Sequence, residues 1–290
     1  MLPRIAIAFV LFLTIGVTGG ACGDGKESDE GATGEPTSRS VAETPGSDQT
    51  PEATSGTPAG SADGGAIEAL VYFQAHANNT KDVPGFVGAF SDAYYADLGV
   101  SRSDAISLVS IFIGVPQVEV MSISEIEVAG DNATAQVDSN EGVIVSRERY
   151  TFVREAGEWR IVAIEELPVE PTAGRAVALR LVEYAFEFEE EQLQGGGYVL
   201  NVSNEGTQPH EIELMKLPSG VVADDLKNRD AVPAGVEVIG LFGPLDPAEV
   251  RTLVFADDLP AGSYALVCYL STPTGQSNAS LGMVRDLVID

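Results

Sequence analysis

Leu259-Pro-Ala-Gly-Ser-Tyr-Ala-Leu-Val-Cys268, with the loop that runs on to Gly282-Met283, decides how the second half of this chain is read. Leu259 to Val267 has the turn-then-apolar pattern of a β-strand, and the strand delivers a thiol at Cys268. A polar loop with Pro273 and Gly275 follows, then Met283 and a second apolar strand from Val284 to Ile289. Upstream, Asn204-Glu-Gly-Thr-Gln-Pro-His210 is a turn that puts a histidine at the start of the strand Glu211 to Lys216. Imidazole, thiol and thioether at three such positions are the donors of a soft-metal site.

These residues resemble the cupredoxin family, over roughly Ala176 to Asp290. The resemblance implies an all-β Greek-key sandwich of about one domain's length. It also implies copper ligands at His210, Cys268 and Met283. The family's second imidazole belongs in a His-x-x-x-Gly-Met frame, and here that frame reads Asn278-Ala-Ser-Leu-Gly-Met283. A blue-copper centre wants two imidazoles and a thiolate in one plane with a weak axial thioether. The chain has two histidines, and the other is His76 in a different region. The expectation is therefore a cupredoxin-type fold with a degenerate copper site and no resident cofactor. The alternative is a His210/Cys268/Met283 set that holds Cu(I), as a carrier or electron-transfer module. Each residue also has a plainer reading: Cys268 and Met283 as core, His210 bonded to a loop carbonyl, Asn278 closing a turn.

The 290 residues are 44% hydrophobic, enough for two cores, and the formal net charge is -28. A polyanion argues against nucleic acid as partner and against adhesion of the folded parts to anionic lipid. The N-terminus reads as a secretion signal over residues 1–21: Arg4 is the basic start and Ile5 to Val17 the apolar core. Gly19-Gly-Ala-Cys22 resembles a bacterial lipobox, with Gly19 where Leu is usual. That resemblance implies lipidation at Cys22 and an extracytoplasmic protein anchored to the bacterial membrane. Residues 22–65 are dense in Gly, Ser, Thr, Pro and acidic residues, so they read as a disordered tether.

Residues 66–170 form the first folded unit. Helical spacing runs over Ala66 to His76, Val83 to Ala96 and Ser103 to Ile113, with Ser101 and Ser103 as caps. Alternation then marks strands over Val118 to Val128, Ala133 to Val137, Val143 to Val153 and Trp159 to Ile164, with a turn at Ala156-Gly157. Helices followed by an antiparallel meander make an α+β unit. The order, with the hairpin Tyr150 to Val162, resembles the nuclear transport factor two-like family, which includes ketosteroid-isomerase and SnoaL-like proteins. The resemblance implies a cone of curved sheet around helices with a pocket inside. Isomerase-type chemistry there would need a carboxylate base and a hydrogen-bonding acid. Asp92, Asp97, Tyr94, Tyr95 and His76 qualify by residue type, although no spacing selects a pair, and Trp159 reads as core.

Pro168 to Gly174 reads as a short linker, and residues 175–290 as the second unit. Ala176 to Phe188 reads as one strand, with Val182, Tyr184, Phe186 and Phe188 on one face. Asp224 to Asp246 reads as a charged excursion before the strand Val250 to Phe255. The sequence holds no P-loop, no dinucleotide turn, no CxxC and no HExxH. The expectation is a non-catalytic, membrane-anchored binding module for a small ligand or an envelope protein.

Overall fold

The computed structural model describes residues 62–171, 174–189 and 198–289. The secretion signal, Cys22 and nearly all of the tether lie outside the described residues. No described helix is long and apolar enough to cross a membrane.

Four helices come first. Helix α1 (Ala62–Thr80) buries Ile67, Val71, Ala75 and Asn78, one stripe at i, i+4, i+8, i+11. Helix α2 (Val83–Gly88) is capped by Asp82, whose carboxylate accepts from Gly85 N at 3.0 Å. Helix α3 (Asp92–Asp97) and helix α4 (Arg102–Phe112) are capped by Ser91 and Ser101. The single helix expected over Val83 to Ala96 is thus two. Ser91 N donates to Ile161 O at 2.9 Å and Ile161 N to Ala89 O at 3.0 Å, so the chain leaves helical geometry to bond a strand. Arg102 then locks the break, donating to Val87 O at 2.9 Å and Phe90 O at 2.8 Å.

Strands β1 (Val118–Ala129), β2 (Asn132–Glu141), β3 (Ile144–Glu155) and β4 (Glu158–Glu166) form the antiparallel meander that the alternation predicts. Register shifts between Val120 and Ser122 and between Ser124 and Glu127 bend β1, and the sheet curves around the helices. Its inner face and the helices share one core, with Phe152 and Ile161 fully buried. This is a helix-plus-curved-sheet unit.

Strands β5 (Arg175–Val182), β6 (Ala185–Glu187) and β7 (Tyr198–Asn204) follow, with β7 parallel to β5. The single strand expected over Ala176 to Phe188 is a tight hairpin, because Tyr184 takes a φ of 66° and Val182 pairs with Ala185. No Gly or Pro announces that turn. Then come β8 (His210–Leu217), β9 (Glu237–Leu245), β10 (Val250–Phe255), β11 (Gly262–Val267) and β12 (Val284–Ile289). The end of the expected charged excursion is the strand β9, paired to β8. Four strands, in the order β12-β11-β8-β9, make a second sheet. It packs on β5, β7 and β10 through Leu179, Leu181, Val202 and Leu253 on one side and Ile212, Leu214, Tyr264 and Leu266 on the other. This is a two-sheet sandwich.

The meander and the sandwich share a sheet. Ile144 and Val145 of β3 pair with Phe255 and Val254 of β10, so eight strands form one sheet, with β4 branching from β3. Gly142, at φ 62°, lets the chain pass Ile239, where a Cβ would lie 2.0 Å from the Ile239 carbonyl oxygen.

Candidate functional sites

The first site lies inside the curved sheet. Strand β2 alternates so that Ala133, Ala135, Val137, Ser139 and Glu141 all face inward. On β3, Glu148, Tyr150 and Phe152 share the inward phase. Period-two geometry therefore carries two carboxyls onto an apolar concave face. A cavity of about 30 Å³ opens there, lined by the apolar Val71, Phe86, Phe90, Val109 and Ile164 and by the polar Tyr94, Ser139, Glu141, Glu148 and Tyr150. It exceeds the roughly 10–15 Å³ that one water needs. Glu148 is 2% exposed, and its Oε1 has no hydrogen-bond partner. Burial first, then the Glu166 charge, pushes its pKa up to about 7, opposed by a hydrogen bond from Tyr150. Burial, then the Glu148 charge, raises Glu141 as well. Burial likewise raises the Tyr94 and Tyr150 hydroxyls, which stay protonated as donors. Near neutrality this pocket can give or take a proton at Glu148.

The residue types singled out from the sequence divide here. Tyr94 and Tyr95 are 5% and 3% exposed and line the pocket. His76, Asp92 and Asp97 are exposed, and Asp92 binds Arg102 at 2.8 Å outside the pocket. Trp159 is buried, with the Arg154 guanidinium 4.3 Å over its ring. Glu141, Glu148 and Tyr150 escaped the sequence reading. Their one available signal was phase: each is an even number of residues from Val137 or Phe152.

The second site joins the ends of β8 and β11. His210, Cys268 and Met283 are fully buried, and Asn278 is 1% exposed. His210 Nδ1 lies 3.8 Å from Cys268 Sγ, and Glu211 N reaches the same sulfur at 3.5 Å. Cys268 N donates to Met283 O at 3.2 Å, and Met283 N to Asn278 O at 2.9 Å. The sequence-chosen residues are thus brought together. Burial, then the Glu211 charge, pushes the thiol up to about 12. Burial lowers His210, with Glu183 opposing. Both groups are neutral, and two buried atoms, His210 Nε2 and Asn278 Oδ1, lack partners.

The donors partly suit copper. Ligand bonds of about 2.0–2.3 Å can bridge 3.8 Å between an imidazole nitrogen and a sulfur. The second imidazole of a Cu(II) plane is replaced by Asn278, whose amide donates to Leu270 O at 2.9 Å and also bonds the thiol. Among the described residues, no cluster of three or more His, Cys, Asp or Glu could hold a metal ion. Any soft ion here depends on the thioether of Met283.

No family model and no curated protein matches the chain. Solved structures similar to part of it include a nuclear transport factor two-like protein of unknown function from Pseudomonas putida. That one is 14% identical and covers 40% of this chain and 92% of its own, at a TM-score of 0.32. A second such protein, from Shewanella baltica, is 15% identical and covers 37% and 95% at 0.29. An uncharacterized protein with a cystatin-like fold from Caulobacter vibrioides is 18% identical and covers 37% and 89% at 0.32.

Proposed function

We propose that this protein is a non-catalytic binding module held outside the cytoplasm by a lipid on Cys22, with the pocket inside the curved sheet as its binding site. The observation that carries the reading is a largely apolar cavity lined by a buried carboxyl whose Oε1 has no partner in the protein. A buried unpaired polar atom is costly, and a ligand that satisfies it recovers that cost on binding. The first unit is of nuclear transport factor two-like type and the sandwich of cupredoxin type; in this reading the sandwich is a scaffold with a degenerate copper site. Saturation-transfer NMR of the full chain with a small neutral alcohol, 3,3-dimethylbutan-1-ol, tests it. Binding that Val109→Trp abolishes by filling the cavity supports it, and no saturable binding overturns it. Cys22→Ser should release the protein from membranes into the soluble fraction, and retention on membranes would overturn the anchor.

The pair of orphaned atoms at His210 and Asn278 favours a second reading, in which His210, Cys268 and Met283 hold Cu(I). Competition with a Cu(I) chelator tests it: wild type should retain copper and Cys268→Ser should not. Apo protein under these conditions removes this reading.

A further inference from the structure

The two inward carboxyls meet no cation. None of the residues lining the pocket is Arg, Lys or His. The nearby guanidinium groups are committed elsewhere: Arg251 to Glu166, Glu249 and the Pro244 carbonyl, Arg147 to Asp138, and Arg102 to Asp92 and two carbonyls. Aromatic rings line the same pocket, with Phe86 and Phe90 centroids 5.4 Å apart and Phe90 and Tyr94 4.4 Å apart, while the Arg102 guanidinium already lies over the Tyr95 ring. Aromatic faces and buried carboxyls together form a cation receptor.

We infer that the pocket takes a compact organic cation, an alkylammonium head that rests on the aromatic wall and is neutralised by Glu141 and Glu148. The inference rests on the pocket-binding reading and names its ligand class. A neutral carbonyl ligand needs one donor, and Tyr94 can supply it, since the Tyr150 hydroxyl is already given to Glu148; the second carboxyl then has no use. An anion is excluded by both carboxyls and by the chain's net charge of -28, which attracts cations from a distance.

Binding is then linked to protons. The groups around the site are Glu141 on β2, Glu148 and Tyr150 on β3, Glu166 on β4 with its Arg251 partner from β10, and Tyr94 on α3. A bound monocation favours one ionised carboxylate in the Glu141–Glu148 pair, so the complex releases about one proton and tightens as pH rises through neutrality. A hydrogen-bond acceptor would show the opposite slope, because it needs Glu148 protonated.

Calorimetry on the full chain with choline and with its neutral isostere 3,3-dimethylbutan-1-ol decides the matter. Choline should bind about fivefold or more tighter near pH 8 than near pH 6, with release of about one proton measured in buffers of different ionisation enthalpy. Glu148→Gln and Glu141→Gln, both isosteric, should each abolish the preference for choline over the alcohol. If the alcohol binds and choline binds no tighter, the cation inference is overturned while the pocket-binding reading stands. If neither ligand binds, both are overturned.

Discussion

His210 Nδ1 and Cys268 Sγ, 58 residues apart in sequence, lie 3.8 Å apart in a fully buried corner of the sandwich. The thiol there is 0% exposed and held near 12, so it is protonated and shielded. Thiolate is the reactive form. Ellman's reagent should therefore leave Cys268 unmodified in the native protein and modify it at once in guanidinium. Native labelling within minutes would show that the corner opens.

Asn278→His restores the second imidazole beside that pair. Cu(II) added to the variant should give the intense visible band of a thiolate–copper centre, and wild type should stay colourless. A colourless variant would mean that the loop does not bring position 278 to the metal.

Glu148 has a folded pKa of about 7, raised above its unfolded value. A carboxyl raised on folding contributes stability that is complete below the unfolded pKa and is lost as pH rises through the folded one. Denaturant midpoints should fall between about pH 4.5 and about pH 7, and the fall should be shallower in Glu148→Gln. Parallel curves for the two proteins would show that Glu148 is not buried in solution.

Gly142→Ala should strongly destabilise the protein. The new Cβ would meet the Ile239 carbonyl at 2.0 Å where the turn between β2 and β3 meets β9, and φ is 62°. A loss of about 3 kcal/mol or more is expected, from left-handed strain plus the backbone clash. Gly157→Ala is the control: φ is 87° with nothing within 4 Å of the added Cβ, so only the strain of about 1–2 kcal/mol applies. Equal losses in urea melts would count against a tight junction.

Phe152, fully buried between the curved sheet and the helices, tests the first core. Phe152→Ala should cost about 3–5 kcal/mol, read from the same melts.

Local pattern exposed much of this architecture. Ser101 marks a helix start because a cap needs only its own side chain and the next turn, while Ser91, also a cap, was hidden inside the helix expected over Val83 to Ala96. The meander is written in the alternation of β2 and β3, and the Ala156-Gly157 turn follows from backbone freedom at one position. Where local signals compete, the pattern misleads. Phe90 and Ser91 read as helix until Ile161 claims their backbone, and Tyr184 makes a turn without any turn residue to show it.

The sites divide along the same line. His210, Cys268 and Met283 were legible because each sits next to a strand end, and the strands then bring them together, whereas Asn278, inside the long loop between β11 and β12, was singled out only through the family frame. The pocket was not legible in that way. A glutamate inside an alternating strand looks like a solvated one until the curvature of β1, the helices above it and the sheet shared with β10 decide which face is dry. The sequence by itself determined most of the elements, their order and the residue types at the strand ends, because propensity, capping and periodicity act over a few neighbours. Only the tertiary structure decided that Glu141 and Glu148 share one desolvated cavity and that the two units share one sheet, because burial and long-range pairing depend on residues far away in the chain.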